Sequence, residues 1–307
     1  MATHKPLSHR TSLAALAAAG VLTLSACGGG GEDDTAAETP EAPEVSADEE
    51  LAAMVPDDIR EAGTVSIGVE SAYAPGEFLD EDGETVLGFN VDLLDAALAK
   101  LDLESEWVSA NFDSIIIGVD SGTYDLGSSS FTITQERMEA VNMVSYFSSG
   151  TQWFVPAGNP EGVDPDNACG LRVAVQSDTT HDADAEARSD ACVEAGEDPI
   201  TIEKFQSQPQ ATETIVSGLN DASLADMPTA AYALDQTGEG VLEFVGEQYD
   251  AAPYGIVTHK DDTEMAEALA AAFDSIIEDG TYQEILDEWG ISGGAIEGAE
   301  VNPSVEE

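Results

Sequence analysis

Positive charge is what this sequence lacks most. Its 307 residues include 9 Lys and Arg against 62 Asp and Glu, which gives a formal net charge of −53. A nucleic-acid-binding protein needs a basic surface, so that class is excluded, and an anionic membrane or polyanionic substrate would be repelled at long range. There are only 3 cysteines, and no apolar run reaches the about 20 residues of a membrane-spanning helix. Disulfide-rich miniproteins and multi-span membrane proteins are therefore excluded as well.

Apolar residues are present in ordinary amounts, 42% of the chain, which is enough for one large or two medium-sized domains. From residue 59 onward, short β-rich runs alternate with segments of helical periodicity, a pattern typical of an α/β fold. Thr64–Val69 is predicted as the first strand and Asp82-Gly83 as the turn of a hairpin. Asn90 is predicted to cap a helix, because apolar residues recur at helical spacing after it.

Two such series of strands and helices, closed by a late return segment, predict two lobes. Val141–Phe147 and Trp153–Val155 are predicted as separate strands, as are Val241–Val245 and Tyr254–Thr258. The predicted boundaries are 1–26 for a signal peptide, 27–55 for an acidic flexible tether, 56–151 for the first part of lobe 1, 152–252 for lobe 2, 253–296 for the return segment of lobe 1, and 297–307 for a disordered tail.

The N-terminus predicts export. Lys5 and Arg10 precede the apolar run Leu13–Ala26, which is too short to span a bilayer but typical of a signal peptide. The run ends in Leu24–Cys27, Leu-Ser-Ala-Cys, which resembles the lipobox of bacterial lipoproteins. That resemblance implies that Cys27 becomes the first mature residue and carries a lipid anchor. An ordinary cleaved signal with a chance cysteine is the alternative. The acidic stretch that follows contains little that could pack, so we expect a flexible tether.

The two other cysteines, Cys169 and Cys192, are predicted to form a disulfide, because an exported chain meets an oxidising compartment. A pair of buried free thiols is the alternative. A metal site is not expected, because one cysteine pair and only His181 and His259 remain after the signal. Calcium binding through acidic clusters such as Asp80–Asp82 stays open, although the EF-hand spacing is absent. No cofactor is expected.

The segment Ser128–Arg137 combines hydroxyl groups with one of the few cations. Ser130 and Thr132 are two residues apart at a predicted strand end, so their hydroxyls point to one side. Arg137 falls in the first turn of the next predicted helix, where a guanidinium beside hydroxyls and free amides can bind a small carboxylate. By residue type alone, a structural ion pair of Arg137 is an equal alternative.

Six short segments of the sequence form a specific pattern through their residues, their order and their spacing. They are Gly68–Pro75, Gly88–Leu93, Ser130–Arg137, Val173–Ser177, Ala225-Asp226 and Asp279–Tyr282. Together they resemble the family 3 solute-binding proteins, the amino-acid receptors of ABC importers, from about Thr64 to Trp289. The resemblance implies a two-lobed, periplasmic-binding-protein-like (type II) α/β fold with a hinge of two crossing segments. We expect these near Gly150–Trp153 and Gln248–Pro253.

The resemblance also implies how the two charged ends of a free amino acid are bound. Arg137 would bind the α-carboxylate as a bidentate pair, with help from Ser130 and Thr132. Thr180 would offer a backbone amide to the same carboxylate, and Asp226 would accept hydrogen bonds from the α-ammonium group. Without the resemblance, Asp226 is read as a turn or cap residue.

The ligand side chain would be held by three further residues. Tyr73 and Phe112 would sandwich it, and Glu70 would hold its polar end; residue type alone makes the two rings core aromatics. Three positions depart from the family pattern: Gly76 stands where Phe is usual, Asn90 replaces a common Asp, and Asp178 interrupts the Gly-Thr pattern after Gln176.

Glu70 narrows the expected ligand. A second carboxylate buried against it would be penalised, so acidic amino acids are disfavoured and Arg, Lys, ornithine or Gln is expected. The resemblance implies a monomeric binding protein, not an enzyme, that delivers its ligand to an ABC permease from the outer face of the bacterial cytoplasmic membrane. An amino-acid sensor for a signalling receptor is the alternative, and a dehydratase-like enzyme on the same scaffold is a more remote one.

Overall fold

The computed structural model describes residue 43 and residues 45–305. The signal peptide predicted at 1–26 and the lipidation site at Cys27 lie outside these residues. Within the described part of the chain, no helix is both long and apolar enough to cross a membrane. The alternation of strands and helices confirms the predicted α/β class.

The strands and helices of the described residues follow the predicted order closely. The strands are β1 (Thr64–Val69), β2 (Ala72–Tyr73), β3 (Glu77–Leu79), β4 (Val86–Leu87), β5 (Glu104–Ser109), β6 (Leu126–Gly127), β7 (Val141–Pro156), β8 (Arg172–Gln176), β9 (Thr201–Phe205), β10 (Ala222–Asp226) and β11 (Leu242–His259). The helices are α1 (Glu49–Ala52), α2 (Asp57–Ala62), α3 (Phe89–Lys100), α4 (Phe112–Asp120), α5 (Gln135–Ala140), α6 (Thr180–Ala195), α7 (Gln208–Val216), α8 (Met227–Thr237), α9 (Thr263–Asp279) and α10 (Thr281–Glu288).

Eight strands form one sheet in the order β5-β1-β6-β11-β7-β10-β8-β9. At one end β5, β1 and β6 are parallel, and at the other end so are β10, β8 and β9. We call these two ends, with the helices that cover them, the first and second lobes. The long strands β7 and β11 pair antiparallel in the middle and run through both lobes. A small second sheet, β2-β3-β4, belongs to the first lobe and includes the hairpin predicted at Asp82-Gly83.

Each lobe has its own hydrophobic cores. In the second lobe, Val173 and Val175 pack into one cluster while Ala174 packs into another. Successive residues of a strand point to opposite faces of the sheet, so β8 contributes to a core on each face. Phe89, Leu94 and the buried face of α9 form the largest core of the first lobe. None of these clusters joins the two lobes, so direct contact between them depends on other residues.

The long central strands differ from the prediction. The strands expected at 141–147 and 153–155 are one strand of 16 residues, and those expected at 241–245 and 254–258 belong to one of 18. The sequence between them contains Gly150 and Pro253, which favour a break. Instead the ladder continues, with register shifts between Val245 and Tyr249 and between Tyr249 and Ala252. A glycine is needed at 150, because a Cβ there would lie 2.6 Å from the carbonyl oxygen of Tyr249.

Asn90 does not cap α3, contrary to the prediction. The helix begins one residue earlier, at Phe89, and Gly88 occupies the N-cap position. Only glycine fits at 88, because a Cβ there would lie 2.1 Å from the carbonyl oxygen of Gly76. Asn90 is therefore inside the first turn, and its side chain is buried and directed at polar groups of the first lobe.

The predicted flexible tether, 27–55, extends too far toward the C-terminus, because residues 45–55 pack against the first lobe. Val55 is only 2% exposed, and Val45 and Leu51 pack against the same core of the first lobe. Asp48 caps α1 by accepting hydrogen bonds from two backbone amides. Isolated apolar residues in an acidic stretch were sufficient to bind it to the domain, which composition alone does not reveal.

The tail predicted to be disordered from 297 is ordered through residue 305 where the structure describes it. Val301 forms a β-bridge with Val144, and the Glu300 amide donates to Ser145 Oγ at 2.8 Å. The side chain of Asn302 accepts a hydrogen bond from the Met143 amide at 2.9 Å. The segment thus adds a short edge pairing to β7.

The predicted disulfide is present. Cys169 and Cys192 are bonded, with their Cα atoms 5.5 Å apart and a sequence separation of 23. Cys192 lies near the end of α6 and is buried in a core of the second lobe. The bond therefore ties the last turns of α6 to the loop that precedes β8.

Candidate ligand-binding site

The predicted site residues follow the carboxyl ends of parallel strands, the edge where ligands bind in open α/β sheets. In the first lobe Tyr73 follows β1, Phe112 follows β5, and Ser130 and Thr132 follow β6. In the second lobe Thr180 begins α6 after β8, and Asp226 ends β10. The sheet topology therefore brings segments more than 150 residues apart to one place.

A narrow cavity lies at this edge; the space around it that protein atoms leave empty is about 280 Å³, part of which is open to solvent. Seven of the eight predicted residues line it, and Glu70 is the exception. Four further residues of the wall had no predicted role: Ser129, Gln176, Thr179 and His181.

The two lobes touch across this cavity. Tyr73 Oη donates to Asp226 Oδ2 at 2.8 Å and accepts from the Asp226 amide at 3.2 Å. Thr132 Oγ1 and Thr180 Oγ1 are 3.5 Å apart. Since Tyr73 and Thr132 belong to the first lobe and their partners to the second, polar side chains join the lobes at this cavity; outside it, the rings of Phe78 and Tyr232 also approach each other, with centroids 6.4 Å apart.

Arg137 is held at the cavity wall by backbone carbonyls and aromatic rings. Its Nη1 donates to the Thr132 carbonyl at 2.8 Å and its Nη2 to the Asp178 carbonyl, on the other lobe, at 3.3 Å. The guanidinium carbon lies 5.6 Å from the Phe112 ring centroid and 5.5 Å from that of Phe131, within cation–π range. Burial lowers the pKa of Arg137 to about 10, so the side chain stays positively charged at neutral pH.

Arg137 is the one arginine of the described residues that makes no ion pair; among the lysines there, Lys260 makes none and donates instead to the backbone carbonyls of Met138 and Val141. Five others each contact a carboxylate: Arg60, Lys100, Arg172, Arg188 and Lys204. A partly buried guanidinium without a carboxylate partner has the charge and the donors to bind an anion. The structural ion pair considered above for Arg137 is thus not formed.

The two predicted aromatic walls have partners of their own. Phe112 stacks on Phe131 with ring centroids 4.7 Å apart, and the Tyr73 hydroxyl is bound to Asp226. Both rings line the cavity. Together with the guanidinium of Arg137, the Phe112 and Phe131 rings form a packed layer on the first lobe.

Glu70 lies behind the wall rather than in it. Its amide donates to Ser129 Oγ at 3.1 Å, and its carboxylate is near the side chain of Gln176, so two wall residues separate it from the cavity. It is only 5% exposed, and Oε2 has no hydrogen-bond partner. Desolvation by burial raises the pKa of Glu70 to about 7, against the smaller opposing effect of the Gln176 hydrogen bond.

Glu77 is a second buried carboxylate that sequence reasoning missed. It accepts hydrogen bonds from Asn90 Nδ2 and from Ser130 Oγ, the latter at 3.3 Å, while Tyr146 Oη donates to Asn90 Oδ1 at 2.8 Å. Burial, with the nearby charge of Glu70, raises the pKa of Glu77 well above its usual range. The Glu-Phe-Leu pattern of β3 predicts that Phe78 points inward, so the sequence contains no local signal for a buried Glu77.

His181 is the other functional candidate that was missed. The imidazole is 4% exposed, lines the cavity, and places Nε2 3.8 Å from Asp226 Oδ1. Desolvation by burial lowers the pKa of His181, although Asp226 acts in the opposite direction. Its position next to Thr180 at the start of α6 was the available signal. In the described residues, this site included, no cluster of three His, Cys, Asp or Glu side chains could hold a metal ion.

Comparisons with known proteins agree with this architecture. Residues 65–292 match the model of the family described as bacterial extracellular solute-binding proteins, family 3. The arginine-binding protein ArgT of Corynebacterium glutamicum is 36% identical over 254 residues, 82% of this chain and 83% of that protein.

Two solved structures are similar in fold as well as in sequence. An ancestral arginine-binding protein bound to arginine has a TM-score of 0.68 and 31% identity, covering 74% of this chain and 98% of its own. An ancestral arginine-binding protein bound to glutamine has a TM-score of 0.67 and 31% identity, covering 75% and 98%. These likenesses confirm the predicted two-lobed α/β fold. The chain therefore belongs to the family 3 bacterial extracellular solute-binding proteins, which are binding proteins rather than enzymes.

Proposed function

We propose that this protein is the substrate-binding component of an amino-acid ABC importer and captures a free amino acid between its two lobes. The observation that carries the proposal is the pair Arg137 and Asp226. A guanidinium without a carboxylate partner and a carboxylate on the opposite lobe line the same cavity. A zwitterion has one group of each charge, so it complements both walls at once.

The geometry leaves both groups capacity for a ligand. A guanidinium has five N–H donors, and backbone carbonyls occupy only Nη1 and Nη2 of Arg137 once each. Asp226 Oδ2 accepts from Tyr73, while Oδ1 faces the cavity beside His181. The α-carboxylate would bind Arg137 and the first amides of α6 near Thr180, and Ser130 and Thr132 would supply hydroxyls.

The side-chain preference is proposed from Glu70. A cationic or amide side chain would lie toward this buried carboxyl, whereas an acidic one would place two carboxylates together in a poorly solvated region. A cation near Glu70 would also favour its ionised form, against the burial that raises its pKa to about 7. The arginine- and glutamine-bound relatives support both ligand classes.

Delivery and anchoring complete the proposal. The protein would act as a monomer. Closure of its lobes about the predicted crossings near Gly150–Trp153 and Gln248–Pro253 would enclose the ligand for delivery to the permease. A lipid on Cys27 would hold the protein at the outer face of the membrane. Incorporation of a radiolabelled fatty acid by cells that express the wild type, and none by a Cys27→Ala variant, is the expected result; equal labelling would contradict the anchor.

A thermal-shift screen of the common amino acids and ornithine tests the binding function. A ligand at 100 times its Kd stabilises the folded state by about 2.7 kcal/mol, so arginine, lysine, ornithine or glutamine should raise the Tm clearly. Recovery of the ligand unchanged after long incubation is expected of a binding protein. Stabilisation by glutamate and aspartate alone would contradict the proposed preference, and no shift with any amino acid would contradict the function.

A further inference from the structure

A buried imidazole with an unsatisfied nitrogen faces the cavity. His181 is 4% exposed, and its Nε2 has no hydrogen-bond partner. Leaving a buried polar atom unpaired is destabilising, so such atoms usually mark a site of function or a missing partner. His181 lines the cavity, and a partner for Nε2 can therefore come from a bound ligand.

The groups around His181 determine its charge. Asp226, at the end of β10, faces Nε2 at 3.8 Å; Asp184 lies one turn along α6; and Arg137 approaches from the first lobe. The two carboxylates favour a protonated imidazole, while Arg137 and the dominant loss of solvation favour the neutral one. Tyr73 donates a hydrogen bond to Oδ2 of Asp226, the carboxylate oxygen other than the one near His181. The pKa of His181 is lowered as a result, so the imidazole is neutral at pH 7.

We propose that His181 is a ligand-binding residue, whose Nε2 accepts one hydrogen bond from the ligand α-ammonium group while Asp226 Oδ1 accepts another. This inference rests on the proposed function. The two acceptors are 3.8 Å apart, so a nitrogen about 2.9 Å from each, the normal hydrogen-bond distance, fits between them. His181 thereby supplies an acceptor on α6 that complements the carboxylate on the neighbouring strand.

This role couples ligand binding to pH. A protonated His181 carries a hydrogen on Nε2, which repels the ammonium group and competes with it for Asp226. The affinity for the ligand is therefore highest at pH values above the pKa of His181, and it decreases as the pH falls below that pKa. Because that pKa is lowered from 6.5, the loss occurs below pH 6.5. For one linked proton, Kd rises toward a limit of about tenfold per pH unit.

Glu70, behind the cavity wall, also titrates in this pH range, so the experiment must separate the two groups. His181→Gln keeps a side-chain oxygen acceptor without a titratable group, and Glu70→Gln removes the other titration. We suggest calorimetric measurement of the arginine Kd between pH 7.5 and pH 4.5 for the wild type, H181Q, E70Q and the double variant. Circular dichroism at each pH verifies that every protein is folded.

The decisive quantity is the slope of log Kd against pH. H181Q is compared with the wild type, and the double variant is compared with E70Q. With His181 present, Kd should rise as pH falls from 6.5 to 4.5, by at most about tenfold per pH unit, and H181Q should remove most of that rise. An equal rise with and without H181Q, or no rise in the wild type, overturns this inference while leaving the binding function intact. No arginine or glutamine binding at pH 7.5 overturns both.

Discussion

Replacing Glu70 by glutamine should stabilise the ligand-free protein at neutral pH while weakening its hold on arginine. Glu70 is 5% exposed and its Oε2 has no hydrogen-bond partner, so its ionised form is poorly compensated in the fold. Glutamine has nearly the same shape and no charge to desolvate. A residue that lowers stability for the sake of a ligand is a common feature of binding sites.

The magnitude follows from the pKa. Burial raises the pKa of Glu70 from 4.5 to about 7, so between these values the folded state binds more protons than the unfolded state. The free energy of unfolding therefore falls as pH rises from 4.5 to 7, and the loss is complete above pH 7. At 1.36 kcal/mol per pKa unit, this amounts to about 3 kcal/mol. Below pH 4.5 the effect disappears.

The assay is urea unfolding of wild type and E70Q at pH 4, 6 and 8 without ligand. The difference in unfolding free energy should favour E70Q by about 3 kcal/mol at pH 8 and shrink toward zero at pH 4, because other titrating groups cancel in the difference. Exposed Glu81 offers a matched control, and E81Q should show no such trend. A difference between wild type and E70Q that does not change with pH would refute the reasoning. Arginine should bind E70Q less tightly than wild type, with a smaller loss for glutamine.

Three further changes test other parts of the structure. Arg137→Lys replaces a bidentate fork by a point charge and should raise the Kd for an amino acid by about 30- to 100-fold in calorimetry; an unchanged Kd would contradict the carboxylate role. Cys169→Ala with Cys192→Ala should lower the unfolding free energy by about 3 kcal/mol in urea titration, and an unchanged value would show that the bond is not stabilising. Asn90→Asp sets a second carboxyl against Glu77, so one of the two must hold a proton; stability should then fall with rising pH more steeply than in wild type, by up to about 1.4 kcal/mol per pH unit, and parallel pH profiles would argue against this contact.

Local elements of the fold were predictable from the sequence. The strand Thr64–Val69 and the Asp82-Gly83 turn depend on neighbouring residues, and both agree with the structure. The continuous strands β7 and β11 were not predictable. Gly150 and Pro253 favour breaks locally, and only the pairing of β7 with β11 keeps each strand continuous. Residues 45–55 were missed for a similar reason: their few apolar side chains gain stability only from a core built by distant helices.

The candidate site shows the same limit. Arg137, Ser130 and Thr132 were recognisable because a cation and two hydroxyls stand close together in sequence. His181 and Glu77 were not, since the role of each depends on groups from other segments: Asp226 for His181, and Asn90 for Glu77. Burial turns an ordinary titratable side chain into a special one, and burial is a property of the assembled fold.

The two continuous strands that pass from one lobe to the other also constrain how the cleft can open. If separate loops joined the lobes, the lobes could adopt many relative orientations. The paired strands β7 and β11 instead resist shear and twist together. Deformation should concentrate where the ladder is interrupted, on either side of Tyr249. Opening and closing would then follow a narrow path, so little orientational entropy is lost each time a ligand is captured.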